Sequence, residues 1–258
     1  MKPWNPDKYL AYADLHTQPI DDLVKRIAIE KPKSIVDLGC GPGNSTESVA
    51  ARWPRAAITG VDVAEEMLEK GRARHPEWRW VLSGIEEFHP AKAFDIVISC
   101  AALQWLPEHE KLLPQLWKLV RAGGALAAQM PANQESALHR AVFRTAKSSA
   151  WKQYTGRSRA VLNFQPPEEY FSILAPMAKR LEIWETIYYH EMRSLNSLLD
   201  WAKTTVMRPF LDKIPTAAGR QAFIADIKQA CAESYPKTVR GTILYIQKRL
   251  FFVAYKND

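Results

Sequence analysis

The stretch SIVDLGCGPGNST at residues 34–46 decides the fold class that we predict for this chain. An apolar run typical of a buried strand, Ser34–Leu38, leads directly into three closely spaced glycines, Gly39, Gly41 and Gly43. Glycines between a strand and a helix let the backbone turn sharply and bring its N–H groups close to a ligand. Several nucleotide-binding folds contain such a turn, so the residues around it must distinguish among them.

Strands and helices alternate regularly on both sides of this turn. Apolar runs predict strands at Ser34–Leu38, Ala57–Asp62, Arg79–Leu82, Phe94–Ser99 and Gly124–Gln129. Helical patterns lie between them at about Ser45–Trp53, Glu65–Arg74 and Leu112–Leu119. We expect the first of these helices to be capped by Asn44, Ser45 or Thr46. Alternation at this spacing predicts a parallel sheet covered by helices on both faces.

The alternation ends after Met130. Two later strand-like runs lie at Leu181–Tyr189 and Leu250–Tyr255, and helical patterns occur near Leu195–Met207 and Thr216–Glu233. We therefore predict one α/β domain over residues 1–258, with a seven-stranded, mostly parallel, Rossmann-like sheet. The sheet would comprise residues 30–131 with strands near 181–190 and 248–255. The segments 132–177 and 191–245 would form a helical cap.

Composition excludes several classes of protein. The chain has 258 residues, of which 47% are hydrophobic and 24% charged, so neither a fibrous nor a disordered protein is indicated. No apolar stretch approaches the roughly 18–20 residues that span a bilayer, and the first ten residues lack the apolar core of a signal peptide. The three cysteines form neither a disulfide framework nor a metal-ligand pattern. We expect a cytoplasmic protein with no metal and no membrane partner.

The excess of positive over negative charge lies entirely in the second half of the chain. Residues 1–132 carry 16 basic and 17 acidic side chains, whereas residues 133–258 carry 19 basic and 11 acidic ones. The excess is densest between Ser136 and Pro167, where no acidic residue occurs. Such a field attracts an anion, which could be a nucleic acid, a membrane surface or a small polyanionic substrate.

Two acids and the glycine spacing narrow the choice of ligand. The glycines run Gly39-x-Gly41-x-Gly43, which departs from the G-x-G-x-x-G spacing of dinucleotide-binding turns. Asp37, just before them, would repel a pyrophosphate but suits a cationic ligand. Asp62 ends the second strand, where a carboxylate can accept both hydrogen bonds of a ribose diol.

This combination resembles the first motif of the class I S-adenosylmethionine-dependent methyltransferases. The resemblance implies that Asp37 reaches the ammonium of the cofactor and that Asp62 holds its ribose. It also implies cofactor contacts at four places. These are the glycine turn with Gly39, Cys40, Gly41 and Gly43, the position after Asp62 with Val63, the segment after the third strand with Ser83 and Ile85, and the end of the fourth strand with Ser99, Ala101 and Gln104. Family members often place an acid for the adenine amino group where this chain has Gly84.

The segment after the fourth strand narrows the type of methyltransferase. It reads Ala102-Leu103-Gln104-Trp105-Leu106-Pro107, which lacks the motifs for methylating amines, cytosine C5, arginine or catechols. With Trp4-Asn5-Pro6, Gln129-Met130-Pro131 and Ile187-Tyr188-Tyr189-His190, it resembles the trans-aconitate 2-methyltransferase family over nearly the whole chain. One departure is Gln18-Pro19, where that family tends to carry Arg-Pro.

The resemblance implies methyl transfer to a carboxylate of a small tricarboxylic acid, most simply trans-aconitate. A carboxylate is already ionised at pH 7, so we expect no general base and no catalytic residue in that sense. A trianion needs cationic and hydrogen-bonding partners. The candidate acceptor-binding residues are Trp105, Arg157, Arg159, Tyr188, His190, Trp201 and Arg208.

Three alternatives remain open from the sequence. The enzyme could methylate another small anionic acceptor, or the chain could bind S-adenosylmethionine without catalysis. A basic nucleic-acid-binding protein is suggested by the sequence pI of about 9.2, although no recognised binding motif accompanies the basic residues. We expect a small-molecule substrate and no nucleic acid partner.

Overall fold

The computed structural model describes residues 14–156 and 163–258, with side chains described from Thr17 onward in the first helix. The strands are β1 Ser34–Leu38, β2 Ala57–Asp62, β3 Arg79–Leu82, β4 Phe94–Cys100, β5 Val120–Pro131, β6 Arg180–Met192 and β7 Ile243–Tyr255. Helices that belong with the first five strands are α1 Asp14–Arg26, α2 Asn44–Arg52, α3 Glu65–Arg74 and α4 His109–Lys118. The later helices are α5 Ala137–Lys147, α6 Lys152–Thr155, α7 Pro167–Leu174, α8 Leu195–Thr204, α9 Arg208–Leu211 and α10 Ala217–Cys231. Short 3₁₀ turns occur at Leu103–Trp105 and Ala232–Ser234.

All seven strands form one sheet in the order β3-β2-β1-β4-β5-β7-β6. Strands β1 to β5 are mutually parallel, and β7 pairs antiparallel with β5 from Ala125 opposite Tyr255 to Pro131 opposite Arg249. From β1 the chain adds β2 and β3 on one side of the sheet and then continues on the other side with β4 and β5, so the strand order reverses between β1 and β4. Ligands of open α/β sheets bind at such a reversal, beyond the carboxyl ends of the strands.

The central strands have the composition of strands that are covered on both faces. Strand β4 reads FDIVISC and is buried at six of its seven positions, and the middle of β5 is a run of alanines and apolar residues that is buried throughout. Near-continuous apolar sequence is expected of parallel strands that lie between two layers of helices. The predicted α/β class and the seven-stranded, mostly parallel sheet are therefore confirmed.

The described residues form two compact units. The sheet unit contains residues 14–131, 163–186 and 249–258, and the second unit contains residues 132–156 and 187–248. The first part of β6 and the last part of β7 belong to the sheet unit, and the rest of each strand belongs to the second unit. In the second unit, Nε1 of Trp151 donates to Asp226 on α10 at 2.7 Å. No helix among the described residues has both the length and the apolarity needed to cross a membrane.

The boundaries of the predicted cap differ from those of the second unit. Helix α7 lies in the predicted segment 132–177 but belongs to the sheet unit, where its Tyr170 bonds to His109 of α4. Strand β7 begins at Ile243, seven residues before the predicted Leu250–Tyr255. The polar residues Gln247, Lys248 and Arg249 separate the first four apolar residues of β7 from the continuous apolar run, so that run marks only the second part of the strand.

Candidate functional site

The glycine turn at the end of β1 has the left-handed backbone that only glycine adopts readily. Gly39, Gly41 and Gly43 have φ values of 74°, 55° and 100°. The amides of Gly39 and Cys40 donate to the carbonyl of Val61 at 2.8 and 3.1 Å, which ties the turn to β2. A Cβ at Gly39 would lie 2.3 Å from Cβ of Ala102, whereas one at Gly41 would meet nothing within 4 Å. The turn therefore packs against the segment after β4 and leaves open space at Gly41.

Asp37 places a buried carboxylate directly beneath this turn. Its Oδ2 accepts hydrogen bonds from the hydroxyls of Ser45 and Thr46, at 2.6 and 2.8 Å. Its Oδ1 is buried and has no hydrogen-bond partner within the described residues. Burial raises the pKa of Asp37 to about 6, although the two hydroxyl hydrogen bonds lower it. A cationic ligand at Oδ1 would favour the ionised form.

The prediction that Asn44, Ser45 or Thr46 caps α2 is wrong. Gly43 occupies the N-cap position, and no side chain caps the helix. The helix begins at Asn44, so all three residues lie within its first turn and not at the N-cap position, and the hydroxyls of Ser45 and Thr46 donate to the buried Asp37.

Asp62 is held in a fixed orientation at the end of β2. Its Oδ2 accepts from the amide of Gly41 at 2.8 Å and its Oδ1 from the amide of Ala64 at 2.9 Å. Burial raises the pKa of Asp62, and the backbone hydrogen bonds lower it. A carboxylate has about four acceptor positions, so Asp62 can hold these amides and also accept from a ligand diol. The side chain of Val63, next to it, is 75% exposed.

The segment after β3 brings an unpredicted carboxylate to the same edge of the sheet. The amide of Ser83 donates to the carbonyl of Asp62 at 3.0 Å, and Ile85 is buried near Gly39. A Cβ at Gly84 would lie 1.8 Å from Oε2 of Glu87. The carboxylate of Glu87 therefore occupies the space that a side chain at position 84 would fill. Sequence analysis missed Glu87, since two neighbouring glutamates resemble an ordinary solvated surface.

The end of β4 carries a strained turn. Ala101 has a φ of 53° although it is not glycine, and its amide donates to the carbonyl of Gln129 at 2.8 Å. The hydroxyl of buried Ser99 donates to the carbonyl of Leu38. Gln104 donates from Nε2 to the carbonyl of Ala101 at 2.7 Å, and its Oε1 is buried without a partner in the described part of the chain. Trp105 follows, half-buried.

A buried histidine and tyrosine hold this turn from the other side. Nε2 of His109 lies 2.9 Å from the carbonyl of Leu103, and Nδ1 lies 2.7 Å from the hydroxyl of Tyr170. Because a carbonyl only accepts, the proton is on Nε2 and Nδ1 accepts from Tyr170. The amide of Asn163 also donates to the carbonyl of Gln104. Helices α4 and α7 thus fix the position of the Leu103–Trp105 turn.

Four of the candidate acceptor-binding residues lie in the second unit. The rings of Tyr188 and His190 stack at 6.2 Å, Tyr245 stacks on His190 at 6.3 Å, and Trp201 packs on Tyr245 at 5.1 Å. Nε2 of His190 is 3.2 Å from Oε1 of Gln247. Nε1 of Trp201 is buried and has no hydrogen-bond partner among the residues that the structure describes.

The fourth of these residues, Arg208, is charged and partly buried. Its Nε lies 3.9 Å from Oδ2 of Asp212, and burial lowers the pKa of its guanidinium. Arg157 and Arg159 lie outside the described residues. The second unit thus contains both a partly buried guanidinium and a row of packed aromatic rings.

Known proteins resemble this chain over most of its length. A model of the methyltransferase domain family matches residues 35–124. The trans-aconitate 2-methyltransferase of Variovorax paradoxus is 38% identical over 260 residues, covering 99% of each chain. That of Agrobacterium fabrum is 37% identical over 257 residues, covering 98% of this chain and 99% of the relative. That of Yersinia pseudotuberculosis is 38% identical over 259 residues, covering 99% of each.

Solved structures share the fold at much lower identity. The YcgJ protein of Bacillus subtilis has a TM-score of 0.62 and 13% identity, covering 94% of this chain and all of that one. A phosphoethanolamine N-methyltransferase of Haemonchus contortus, solved with S-adenosylhomocysteine, has a TM-score of 0.56 and 17% identity, covering 93% of this chain and 53% of that one.

The strand order, the buried acid before the glycine turn and the second acid at the end of β2 define a class I S-adenosylmethionine-dependent methyltransferase. Full-length identity of 34–38% to curated relatives then specifies the branch of that class. The chain belongs to the trans-aconitate 2-methyltransferase family.

Proposed function

We propose that this protein transfers a methyl group from S-adenosylmethionine to one carboxylate of trans-aconitate, forming a monomethyl ester. The observation that carries the proposal is the similarity to relatives of that name over 99% of both chains. The acids and open space around the glycine turn support it independently, because they suit a cationic nucleoside ligand.

The residues at the carboxyl edge of the sheet fit S-adenosylmethionine. Oδ1 of Asp37 is buried and has no hydrogen-bond partner in the described part of the chain, so it can accept from an ammonium group, and Asp62 is oriented to accept from a ribose diol. The buried Oε1 of Gln104 provides a further acceptor close to the end of β4. We propose that the remaining predicted contacts line the same site, namely Gly39, Cys40, Gly41, Gly43, Val63, Ser83, Ile85, Ser99 and Ala101. When bound, the cofactor supplies an electrophilic methyl group.

The chain then has to position and desolvate a nucleophile that is already ionised. A carboxylic acid with a pKa near ~4 is a carboxylate at pH 7, so no side chain has to remove a proton. Buried side chains around the turn after β4 exclude water. An oriented carboxylate that has lost its water shell attacks the methyl group faster. Burial raises the pKa of the Cys100 thiol well above the usual range, which disfavours the thiolate form that a nucleophile would need.

We infer that the acceptor is bound by cationic and hydrogen-bonding side chains named from the sequence. The described candidates are Trp105, Tyr188, His190, Trp201 and Arg208, and the candidates Arg157 and Arg159 lie outside the described residues. The buried indole N–H of Trp201 without a partner in the described residues supports its role, because a carboxylate oxygen would satisfy it.

Methyl transfer from radiolabelled S-adenosylmethionine tests the proposed function directly. Trans-aconitate, cis-aconitate, isocitrate and citrate are compared as acceptors. We expect base-labile label to accumulate selectively with trans-aconitate. Absence of label with every acid, while S-adenosylhomocysteine still binds, would contradict the proposed activity and retain the fold assignment.

Replacement of Arg208 tests the acceptor assignment. Arg208→Ala is expected to raise KM for trans-aconitate by roughly 10- to 100-fold through loss of a charged hydrogen bond, with little change in cofactor affinity. Exposed Arg193, in the same unit, provides the matched control Arg193→Ala. Steady-state kinetics and calorimetry with S-adenosylhomocysteine separate the two effects. Loss of cofactor binding, or no change in KM, would show that Arg208 does not bind the acceptor.

A further inference from the structure

The end of helix α8 carries two buried polar atoms that have no hydrogen-bond partner in the described part of the chain. They are Nε1 of Trp201, within the helix, and Oγ1 of Thr205, the residue that follows it directly. The side chain of Trp201 is 3% exposed, and its ring packs on Tyr245 at 5.1 Å. A buried N–H or hydroxyl group without a partner lowers stability, so its presence in a folded protein requires an explanation.

Local hydrogen bonding within the helix does not use the hydroxyl of Thr205. A threonine near a helix end commonly donates to the carbonyl four residues earlier, which for Thr205 is that of Trp201. That carbonyl accepts instead from the hydroxyl of Thr204, at 2.7 Å. The amide of Thr205 donates to the carbonyl of Ala202 at 3.2 Å. The backbone of Thr205 is therefore held by the helix, while its hydroxyl stays without a partner.

Trp201 and Thr205 present their side chains on the same side of the helix end. Thr205 is the C-cap residue, and residues four apart are neighbours on a helix surface. An indole N–H only donates, whereas a hydroxyl can donate or accept. The two side chains thus offer two uncharged donors about one helical turn apart, which matches a group with more than one acceptor oxygen.

The third buried side-chain atom without a hydrogen-bond partner among the described residues of the second unit is Oδ2 of Asp212. Nε of Arg208 lies 3.9 Å from this atom, so an ion pair compensates its charge. A carboxylate oxygen only accepts and does not suit an anionic ligand. Of these three atoms, only Nε1 of Trp201 and Oγ1 of Thr205 can therefore donate to an anion.

We propose that Thr205 is an acceptor-binding residue, whose hydroxyl donates to the same carboxylate of the acceptor as the indole N–H of Trp201. This inference rests on the proposed function and deepens it. A carboxylate has two oxygens with about four acceptor positions, so one such group satisfies both donors. The cost of burying two donors without partners in the free protein is then recovered when the acceptor binds.

Substitutions of Thr205 distinguish acceptor binding from a structural role. Thr205→Val removes the hydroxyl and keeps the branched shape, so KM for trans-aconitate should rise by about 10-fold or more. Thr205→Ser keeps the hydroxyl and should retain a KM close to that of wild type. The valine variant should unfold at the same or a higher urea concentration than wild type, because it loses a buried hydroxyl that had no partner. A purely structural threonine would instead lose stability and keep its KM.

Neighbouring residues of the same type provide matched controls. Thr204→Val removes a hydroxyl that already has a partner, so it should lower stability and leave KM unchanged. Trp201→Phe should raise KM as Thr205→Val does. Trp151→Phe is its control, because Nε1 of Trp151 donates to Asp226, and this variant should lose stability without a change in KM. The Kd of S-adenosylhomocysteine should change by less than about threefold in all of these variants.

Dicarboxylates test whether both donors bind the same group. Glutaconate, mesaconate and itaconate each lack a different one of the three carboxylates of trans-aconitate. Their affinities for the enzyme loaded with S-adenosylhomocysteine are measured by calorimetry for wild type, Thr205→Val and Trp201→Phe. One of the three should bind equally to all three proteins, because it lacks the carboxylate that the pair contacts.

The indole N–H of Trp201 reports the contact in the wild-type protein. Its proton–nitrogen NMR signal is assigned by its absence from Trp201→Phe. Addition of trans-aconitate to the complex with S-adenosylhomocysteine should move this signal downfield, because the N–H gains an acceptor. The signal of Trp151, which already donates to Asp226, should stay in place. If Trp201→Phe fails to fold, Thr205→Val with the three dicarboxylates still tests the inference.

The outcomes separate this inference from the proposed function. An unchanged KM in Thr205→Val, or equal weakening of all three dicarboxylates, would overturn the role of Thr205 while the proposed function stands. Different unaffected dicarboxylates for Thr205→Val and Trp201→Phe would show that the two donors do not share a carboxylate. A wild-type protein that neither methylates nor binds trans-aconitate would instead refute the proposed function, and this inference with it.

Discussion

At the scale of single residues, Asp37 combines a proposed role in cofactor binding with a cost in stability. Its carboxylate is buried beneath the glycine turn and has one oxygen without a partner among the described residues. Burial raises its pKa from 3.8 to about 6, so the folded protein binds this proton more tightly than the unfolded chain does. The contribution of Asp37 to the unfolding free energy therefore falls as the pH rises from about 4 to about 6.

Replacement of Asp37 by asparagine should separate its effect on stability from its effect on cofactor binding. Asp37→Asn is expected to unfold at higher urea concentration than wild type at pH 7, by of order 2 kcal/mol, and to lose that advantage near pH 4. Cofactor affinity should rise between pH 5 and pH 7 in wild type, because the ionised carboxylate binds the ammonium, and should be weak and flat in the variant. Urea titrations and calorimetry over this range measure both. Asp95→Asn is the control, since Asp95 accepts from Lys33 and Ser34 at the start of β1. A pH-independent wild-type affinity would contradict the role of Asp37.

Glu87 supplies a second prediction at the residue scale. Its carboxylate fills the place of the missing side chain at Gly84, where related enzymes often carry an acid for the adenine amino group. Glu87→Gln is expected to weaken binding of S-adenosylhomocysteine by roughly threefold to tenfold, the value of an exposed hydrogen bond. Exposed Glu86 provides the adjacent control Glu86→Gln, which should bind as wild type does. Equal affinities of the two variants would remove Glu87 from the site.

At the scale of elements, the site depends on how two helices hold the turn after β4. His109 at the start of α4 bridges the carbonyl of Leu103 and the hydroxyl of Tyr170 on α7, and all three are buried. The turn carries Gln104 and Trp105 and follows the strained Ala101. Strain at that position persists because the surrounding hydrogen bonds determine the conformation.

Tyr170→Phe removes the hydroxyl that His109 accepts from and leaves a buried ring nitrogen without its donor. The free energy of unfolding should fall by about 1–3 kcal/mol, and kcat should fall more than cofactor affinity because the turn loosens. Urea denaturation and steady-state kinetics measure these changes. Tyr154→Phe, at a side chain that is 40% exposed, should have neither effect. Wild-type stability in Tyr170→Phe would show that the hydrogen bond does not hold the turn.

At the scale of the whole molecule, the chain carries an excess of positive charge, which is expected of a protein that binds a trianion. Residues 133–258 carry a net charge of +8, whereas residues 1–132 carry −1. A field of this kind raises the rate at which a trianion reaches the protein, and salt screens it. We expect kcat/KM for trans-aconitate to fall several-fold between 20 mM and 300 mM NaCl, while the Kd of S-adenosylhomocysteine changes little. Steady-state kinetics over this range of NaCl concentration measure kcat/KM. A value of kcat/KM that does not depend on salt would contradict electrostatic attraction of the acceptor.

Sequence patterns predicted the first strands and the helices near Leu195–Met207 and Thr216–Glu233 well, and two other elements less well. Strands β1, β2 and β3 have the predicted bounds, because short apolar runs between helices end at clear turn residues. The start of β7 and the placement of α7 in the sheet unit were missed. The polar run Gln247–Arg249 interrupts the apolar sequence of β7, and the position of α7 depends on the His109–Tyr170 contact rather than on its own sequence.

The sequence by itself determined the fold class, the cofactor class and the family, because these depend on residues that are close along the chain: the SIVDLGCGPG turn, Asp62, and the segment after β4. Only the tertiary structure decided that Ser45 and Thr46 bond to Asp37 instead of capping a helix, that Glu87 fills the place of residue 84, and that Arg249 on β7 bonds to Gln129 on β5. Gln129 and Arg249 are separated by 120 residues along the chain, yet they lie on neighbouring strands of the sheet. A strand order that does not follow the sequence brings such residues together, and no local pattern records it.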